Sequence, residues 1–164
     1  MSATPLPALV LFDFDDVLAR YAHEERIAHL ARSCGVGERL VAEVLFDSGL
    51  ESDYDGGGID TATYLGRLGD GLGAPVDEAM WIAARVAGSR VDPAVLAWVR
   101  AVATQARIGV LTNNGVLLAE VARVLLPPLF PGLGPVSAYG ACRAGPAGVR
   151  GKEERGRVCR YATE

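Results

Sequence analysis

The stretch Leu9-Val-Leu-Phe-Asp13-Phe-Asp15-Asp16-Val17-Leu18 sets the frame for every other segment of the chain. Its first half, from Ala8 to Phe12, is continuously apolar rather than alternating, the pattern of a strand buried on both faces of a parallel α/β sheet. The run stops at three carboxylates in four residues, which a sheet core cannot hold. They belong at the strand's carboxyl end, where open α/β folds place ligands. Asp13 and Asp15 converge on one small volume if the chain turns tightly there. Clustered carboxylates repel unless a cation lies between them, and hard oxygen ligands favour Mg²⁺. One carboxylate can attack an electrophile while the other shuttles a proton. The same residues also suit an acidic turn or a helix N-cap without metal.

Beyond this strand the pattern becomes helical. Residues 21–34 read as an amphipathic helix stopped by Gly35, and a second helix runs from about Gly37 to Phe46. Glu51 to Gly58 reads as a polar loop, followed by helices near Asp60–Leu68 and Asp77–Ala87, the latter capped by Asp77. Residues 20–88 thus carry no convincing strand. Asp92-Pro93 opens a further helix to about Gln105, apolar nearly all round. Arg107–Leu111 is a second short apolar strand, and Val116–Leu126 is a helix stopped by Pro127-Pro128. A weaker third strand is expected at Pro135–Tyr139, with a last helix near Val158–Thr163. Strand, helical excursion, helix, strand, helix, strand is the order of a parallel sheet layered with helices.

Two further segments could carry chemistry. Thr112-Asn113 closes the second strand, and a hydroxyl beside N–H groups that open a helix suits an anion, although ordinary turn chemistry gives the same sequence. Lys152, the only lysine in the protein, stands in Gly148-Val-Arg-Gly-Lys152-Glu, where it could neutralise a phosphate or simply be solvated.

In this order the three segments resemble the motifs of the haloacid dehalogenase-like (HAD) superfamily. Asp13-Phe-Asp15-Asp16-Val17 matches its first motif, Asp-x-Asp-x-Thr/Val, with Asp16 where the family commonly has Gly. Thr112 after Ile108–Leu111 matches the second, and the segment from Gly148 is similar to the third, usually Gly-Val-Arg-Lys-Pro-Asp-Pro. The resemblance implies an α/β fold: a three-layer Rossmann-like parallel sheet core, residues 1–19 and 89–164, with an inserted all-α cap at 20–88 of the small helical (C1) type. The Asp55–Ile59 loop is similar to the small-cap phosphatase branch. By the same resemblance Asp13 is a nucleophile that forms an aspartyl-phosphate, and Asp15 is the acid and base. Mg²⁺ is held by the Asp13 carboxylate and the Asp15 backbone carbonyl, and Thr112, Asn113 and Lys152 bind phosphate. The implied activity is hydrolysis of a small phosphorylated metabolite. Asp15 argues against the dehalogenase branch, which lacks it because a leaving halide needs no proton.

The family's fourth motif is an acidic pair after another strand. After Glu120 the only acids are Glu153, Glu154 and Glu164, so the chain is expected to stop short of that motif. A weak Mg²⁺ site, or a catalytically impaired protein without turnover, is the alternative expectation. An uncovered edge on Leu9–Phe12 would also invite a homo-oligomer.

Composition narrows the field further. The chain has 164 residues, 50% hydrophobic and 22% charged, enough to bury roughly 70% of the surface it exposes when unfolded. Three cysteines without a Cys-x-x-Cys suit a reducing cytoplasm rather than a disulfide frame or zinc site. The early apolar run is too short for a membrane span and lacks the basic flank of a signal peptide. A net charge of −4 gives no footprint for nucleic acid. That charge is uneven, since residues 1–60 carry 12 acids and 4 bases against 8 and 12 in the remainder. His23 and His29 do not share a helical face, and Tyr64, Trp81 and Trp98 are expected to pack the core and cap.

Overall fold

A computed structural model of the chain describes residues 9–126. The expected third strand, the C-terminal helix and Lys152 lie outside them. Strand β1 (Leu9–Phe12) pairs in parallel with β4 (Arg107–Val110), Phe12 opposite Val110. Between them lie β2 (Ala19–Tyr21), helices α1 (His23–Cys34) and α2 (Glu38–Ala42), a π-helical turn at Glu43–Asp47, α3 (Leu50–Asp55), α4 (Thr61–Leu72), α5 (Glu78–Ala87), β3 (Ser89–Val91) and α6 (Pro93–Ala103). Helix α7 (Leu118–Leu125) follows β4. The architecture is α/β, a small parallel sheet flanked by helices and interrupted after its first strand by a helical insert. No described helix is long and apolar enough to cross a membrane.

Local chemistry explains most of the boundaries. Gly35 ends α1 in the left-handed conformation at φ 68°, which costs glycine nothing. Asp77 accepts from the Met80 N–H at 2.7 Å, and Asp92 from the Ala94 N–H at 2.8 Å with Pro93 in the first turn. Leu118, Val121 and Ala122 bury one face of α7, which packs on α5. In the insert α1 packs against α5 over Leu30, Trp81 and Ala84.

Several expectations need correction. Ala19–Tyr21 and Ser89–Val91 are strands, paired antiparallel where the chain enters and leaves the insert. Three residues are too few to show an alternating pattern, so in the sequence residues 21 and 22 read as the start of the helix. The segment from Glu51 is not a loop throughout: Leu50 and Tyr54, one helical turn apart, are both buried and hold α3. Helix α4 continues past Leu68 to Leu72, which is buried one turn further on, and Gly71 seats against Val44, where a Cβ would come within 2.7 Å. Strand β1 is not buried on both faces, since Leu9 and Leu11 remain about 40% exposed. Trp98 does not pack a core; it is 75% exposed on α6, which buries only Val99 fully.

The core of the insert contains a paired charge. Arg26, 1% exposed, meets Glu51 through Nη1 at 2.6 Å and Nη2 at 3.2 Å. The Tyr64 hydroxyl donates to Glu51 and accepts from Arg26 Nη2 at 3.2 Å and Trp81 Nε1 at 2.9 Å. Burial, reinforced by the Glu51 charge, pushes the Tyr64 phenol well above its usual range, so it stays a donor. Tyr54 stacks on Tyr64 at 4.2 Å between ring centroids.

Burial separates two apolar truncations. Leu30→Ala, which empties a fully buried site, should destabilise the protein by about 2–5 kcal/mol. Trp98→Ala should change stability by no more than about 0.5 kcal/mol. Urea unfolding of the two variants against wild type measures both.

Candidate active site

Beyond β1 the chain turns back on itself. The N–H groups of Leu18 and Ala19 both donate to the Phe14 carbonyl, at 2.9 and 3.0 Å, and the Asp16 N–H donates to the Ala19 carbonyl at 2.8 Å. Phe14, fully buried, anchors the turn. Asp16 takes a left-handed φ of 58°, a conformation that aspartate tolerates better than most residues. Its Oδ1 accepts from the Tyr21 N–H at 3.2 Å, which ties the turn to β2. The positive φ gives a physical reason for glycine to be favoured at this position.

The turn gives Asp13 and Asp15 different surroundings. Asp13 Oδ1 accepts from the Phe14 N–H at 2.7 Å, and among the described residues no arginine, lysine or histidine pairs with it. The Asp15 carboxylate is held on two sides. Arg85 Nη2 donates to Oδ1 and Oδ2 at 2.7 Å each, and Asn114 Nδ2 donates to Oδ2 at 2.9 Å.

Thr112 lies just past β4, which the Leu111 N–H extends by donating to the Phe12 carbonyl at 2.9 Å. The parallel register therefore brings the segments bearing Asp13 and Thr112 to the same end of neighbouring strands. Thr112 is buried, and its Oγ1 accepts from Asn114 Nδ2 at 2.7 Å and from the Asn114 N–H at 3.3 Å. Since a hydroxyl carries one proton, Thr112 still has that proton to donate. Asn113 is exposed; it is Asn114, one residue on, that joins Thr112 to Asp15.

Helix α3 also reaches this loop. Asp55 Oδ1 accepts from the Gly115 N–H at 2.7 Å, and the Tyr54 hydroxyl accepts from the Leu117 N–H at 3.3 Å. A Cβ at Gly115 would lie 2.3 Å from the Tyr54 ring, so the loop approaches this closely only with glycine there.

Arg85, Asn114 and Tyr54 have no place in the motif reading, and Asp55 entered it only as part of a loop. Arg85 left one trace in the sequence: it sits four residues after Trp81, on the buried face of a helix that is apolar apart from Glu78 in its first turn. A lone arginine at a core position implies a buried acidic partner.

Among the described residues no group of three or more His, Cys, Asp or Glu side chains gathers as a metal cage. The donor chemistry at Asp13 nevertheless fits a hard cation, because its carboxylate has no other cationic partner there. The Asp15 side chain is occupied by Arg85 and Asn114, which leaves its backbone carbonyl for such an ion.

Asp55 makes the stability depend on pH. Burial, then the negative charge of Glu51, pushes its carboxyl up to about 6 from an ordinary 3.8. Between these values the folded protein keeps on Asp55 a proton that the unfolded chain has lost, so the contribution of this group to stability falls as pH rises through this window. Asp55→Asn keeps the acceptor for Gly115 and removes the ionisation. Unfolding followed from pH 4 to 7 should show a shallower decline in the variant than in wild type.

No family model and no curated protein matches the sequence. Solved structures do match the fold. A HAD family enzyme from Bacteroides thetaiotaomicron aligns at 16% identity and a TM-score of 0.55, covering 73% of this chain and 59% of that one. Its wild-type form in complex with magnesium and inorganic phosphate aligns at 16% identity and a TM-score of 0.56, over 70% of this chain and 57% of that one. A protein from Porphyromonas gingivalis described as a predicted HAD-like family hydrolase aligns at 20% identity and a TM-score of 0.56, over 80% and 60%. The chain thus spans a little under three-fifths to three-fifths of the length of these relatives. With strand β1 leading into Asp13, the helical insert and the parallel strand β4 leading towards Thr112, the chain has the haloacid dehalogenase-like fold of these structures.

Proposed function

We propose that the protein hydrolyses a small phosphomonoester, with Asp13 as nucleophile and Asp15 as proton donor and acceptor. The observation that carries this reading is the separation of the two carboxylates. Asp13 has no cationic partner among the described residues, while Asp15, two residues on, is held by Arg85 and Asn114. Two carboxylates with different surroundings can take different roles in one reaction.

In the first step Asp13 forms a bond to phosphorus as the bond to the leaving oxygen breaks. The electron pair goes to that oxygen, which takes a proton from Asp15. In the second step water attacks the aspartyl-phosphate, Asp15 takes a proton from the water, and the Asp13–phosphorus bond breaks to release phosphate. The Thr112 hydroxyl donates to a phosphate oxygen. Lys152, outside the described residues, is the proposed cation of the third motif, and the helical insert serves as the cap that shields the site. Mg²⁺ held by the Asp13 carboxylate and the Asp15 carbonyl would neutralise phosphate charge as it builds up. The magnesium and phosphate in the Bacteroides enzyme support this choice of ion and of substrate class.

Turnover of 4-nitrophenyl phosphate tests the reading. Wild type with Mg²⁺ should release nitrophenol, and excess EDTA should stop it. Asp13→Asn should fall to background, and Asp15→Asn should lose about 10²–10⁴-fold. Equal rates in wild type and Asp13→Asn would overturn the assignment.

A further inference from the structure

We infer that Arg85 is a positioning residue for Asp15, carried by the helical insert so that the seat of the insert sets where the acid–base carboxylate points. The inference rests on the phosphatase reading above and adds to it a residue that none of the three motifs contains. Arg85 and Asp15 are 70 positions apart in sequence, yet one nitrogen of Arg85 meets both carboxylate oxygens at 2.7 Å. The same nitrogen donates to Asn114 Oδ1 at 3.3 Å, so Arg85 also orients the second side chain that holds Asp15.

Arg85 itself is fixed. It is 1% exposed, its Cζ lies 3.5 Å from the centre of the Tyr21 ring, and Nη1 donates to Ser89 Oγ at 3.4 Å. Tyr21 is the last residue of β2 and Ser89 the first of β3, the two points where the chain passes between sheet and insert. A guanidinium packed against both crossings and rooted in α5 moves with them. The Asp15 side chain, one-quarter exposed, turns on two torsions and follows the guanidinium. Asp13 is placed differently: it continues β1, and its carboxylate accepts from the N–H of its own neighbour Phe14.

A residue that acts through a proton donor matters most when the leaving group needs the proton. Phenolate needs it more than 4-nitrophenolate, so phenyl phosphate and 4-nitrophenyl phosphate form the test pair. With full-length protein and Mg²⁺, Arg85→Met should lower kcat on phenyl phosphate by about tenfold more than on 4-nitrophenyl phosphate, with KM nearly unchanged. Because one nitrogen carries both contacts, Arg85→Lys should recover part of the loss. Equal losses on the two substrates, or a change confined to KM, would overturn the positioning role while leaving the phosphatase reading intact. A wild type that hydrolyses neither substrate would overturn both. If Arg85→Met lacks the circular dichroism of wild type, Arg85→Lys is judged by the same ratio.

Discussion

The parallel pairing of β1 with β4 constrains everything else in the molecule. Adjacent parallel strands cannot be joined by a hairpin, so the chain must leave β1 at one end and come back to β4 from the other. Here the excursion takes in the whole helical insert and α6. The register, Leu9 with Arg107 through Phe12 with Val110, brings two carboxyl ends side by side. Asp13 follows one strand and Thr112 the other. A slip of one residue would turn every side chain to the opposite face of the sheet and separate the pair. Gly109 helps to hold the register, since a Cβ there would meet Leu11 at 2.9 Å.

Charges buried in the insert divide the remaining work. Arg26 pairs with Glu51 inside it, beneath Tyr64 and Trp81, and joins α1, α3, α4 and α5 through one polar cluster. Removing either member of such a pair strands the other charge in a low-dielectric interior, at a cost of about 3–5 kcal/mol. The cluster therefore fixes one packing of the helices. Arg85 lies on α5, as Trp81 does, but its partner is outside the insert, in the turn after β1. The uneven charge along the sequence is partly explained by these contacts. Asp15, Glu51 and Asp55 all fall in the acid-rich first 60 residues, and Asp15 is matched by an arginine from the more basic remainder.

What the sequence shows and hides follows from the range of each interaction. Gly35, Asp77 and Asp92-Pro93 act on backbone groups within a few residues, so they were legible, as were the strand at Arg107 and the helix stopped before Pro127. Strands β2 and β3 were not, because three-residue strands 70 positions apart leave no local period. The helix at Leu50–Asp55 was hidden by its acidic residues and the glycines after it; only the burial of Tyr54 against Tyr64 and Gly115 shows why it holds. At the site, the motif drew attention to Thr112-Asn113. Which of two neighbouring asparagines faces Asp15 depends on the turn, and composition is silent on that. Arg85 shows the same limit more strongly, since its partner is set by tertiary structure alone.

The two contacts between insert and sheet loops differ in what they hold. Asp55 and Tyr54 grip the backbone at Gly115 and Leu117, just beyond Thr112, and so bear on the loop that would receive phosphate. Arg85 grips a side chain, that of Asp15, and leaves its backbone to the turn. In the proposed chemistry the nucleophile is placed by β1, and the phosphate seat by β4 together with the Asp55 and Tyr54 contacts from the insert. Proton transfer depends on the insert through a side chain, whereas the phosphate loop depends on it through backbone contacts. The insert thus bears on the phosphate loop through α3 and, in the proposed positioning role, on the proton step through the Arg85 guanidinium of α5.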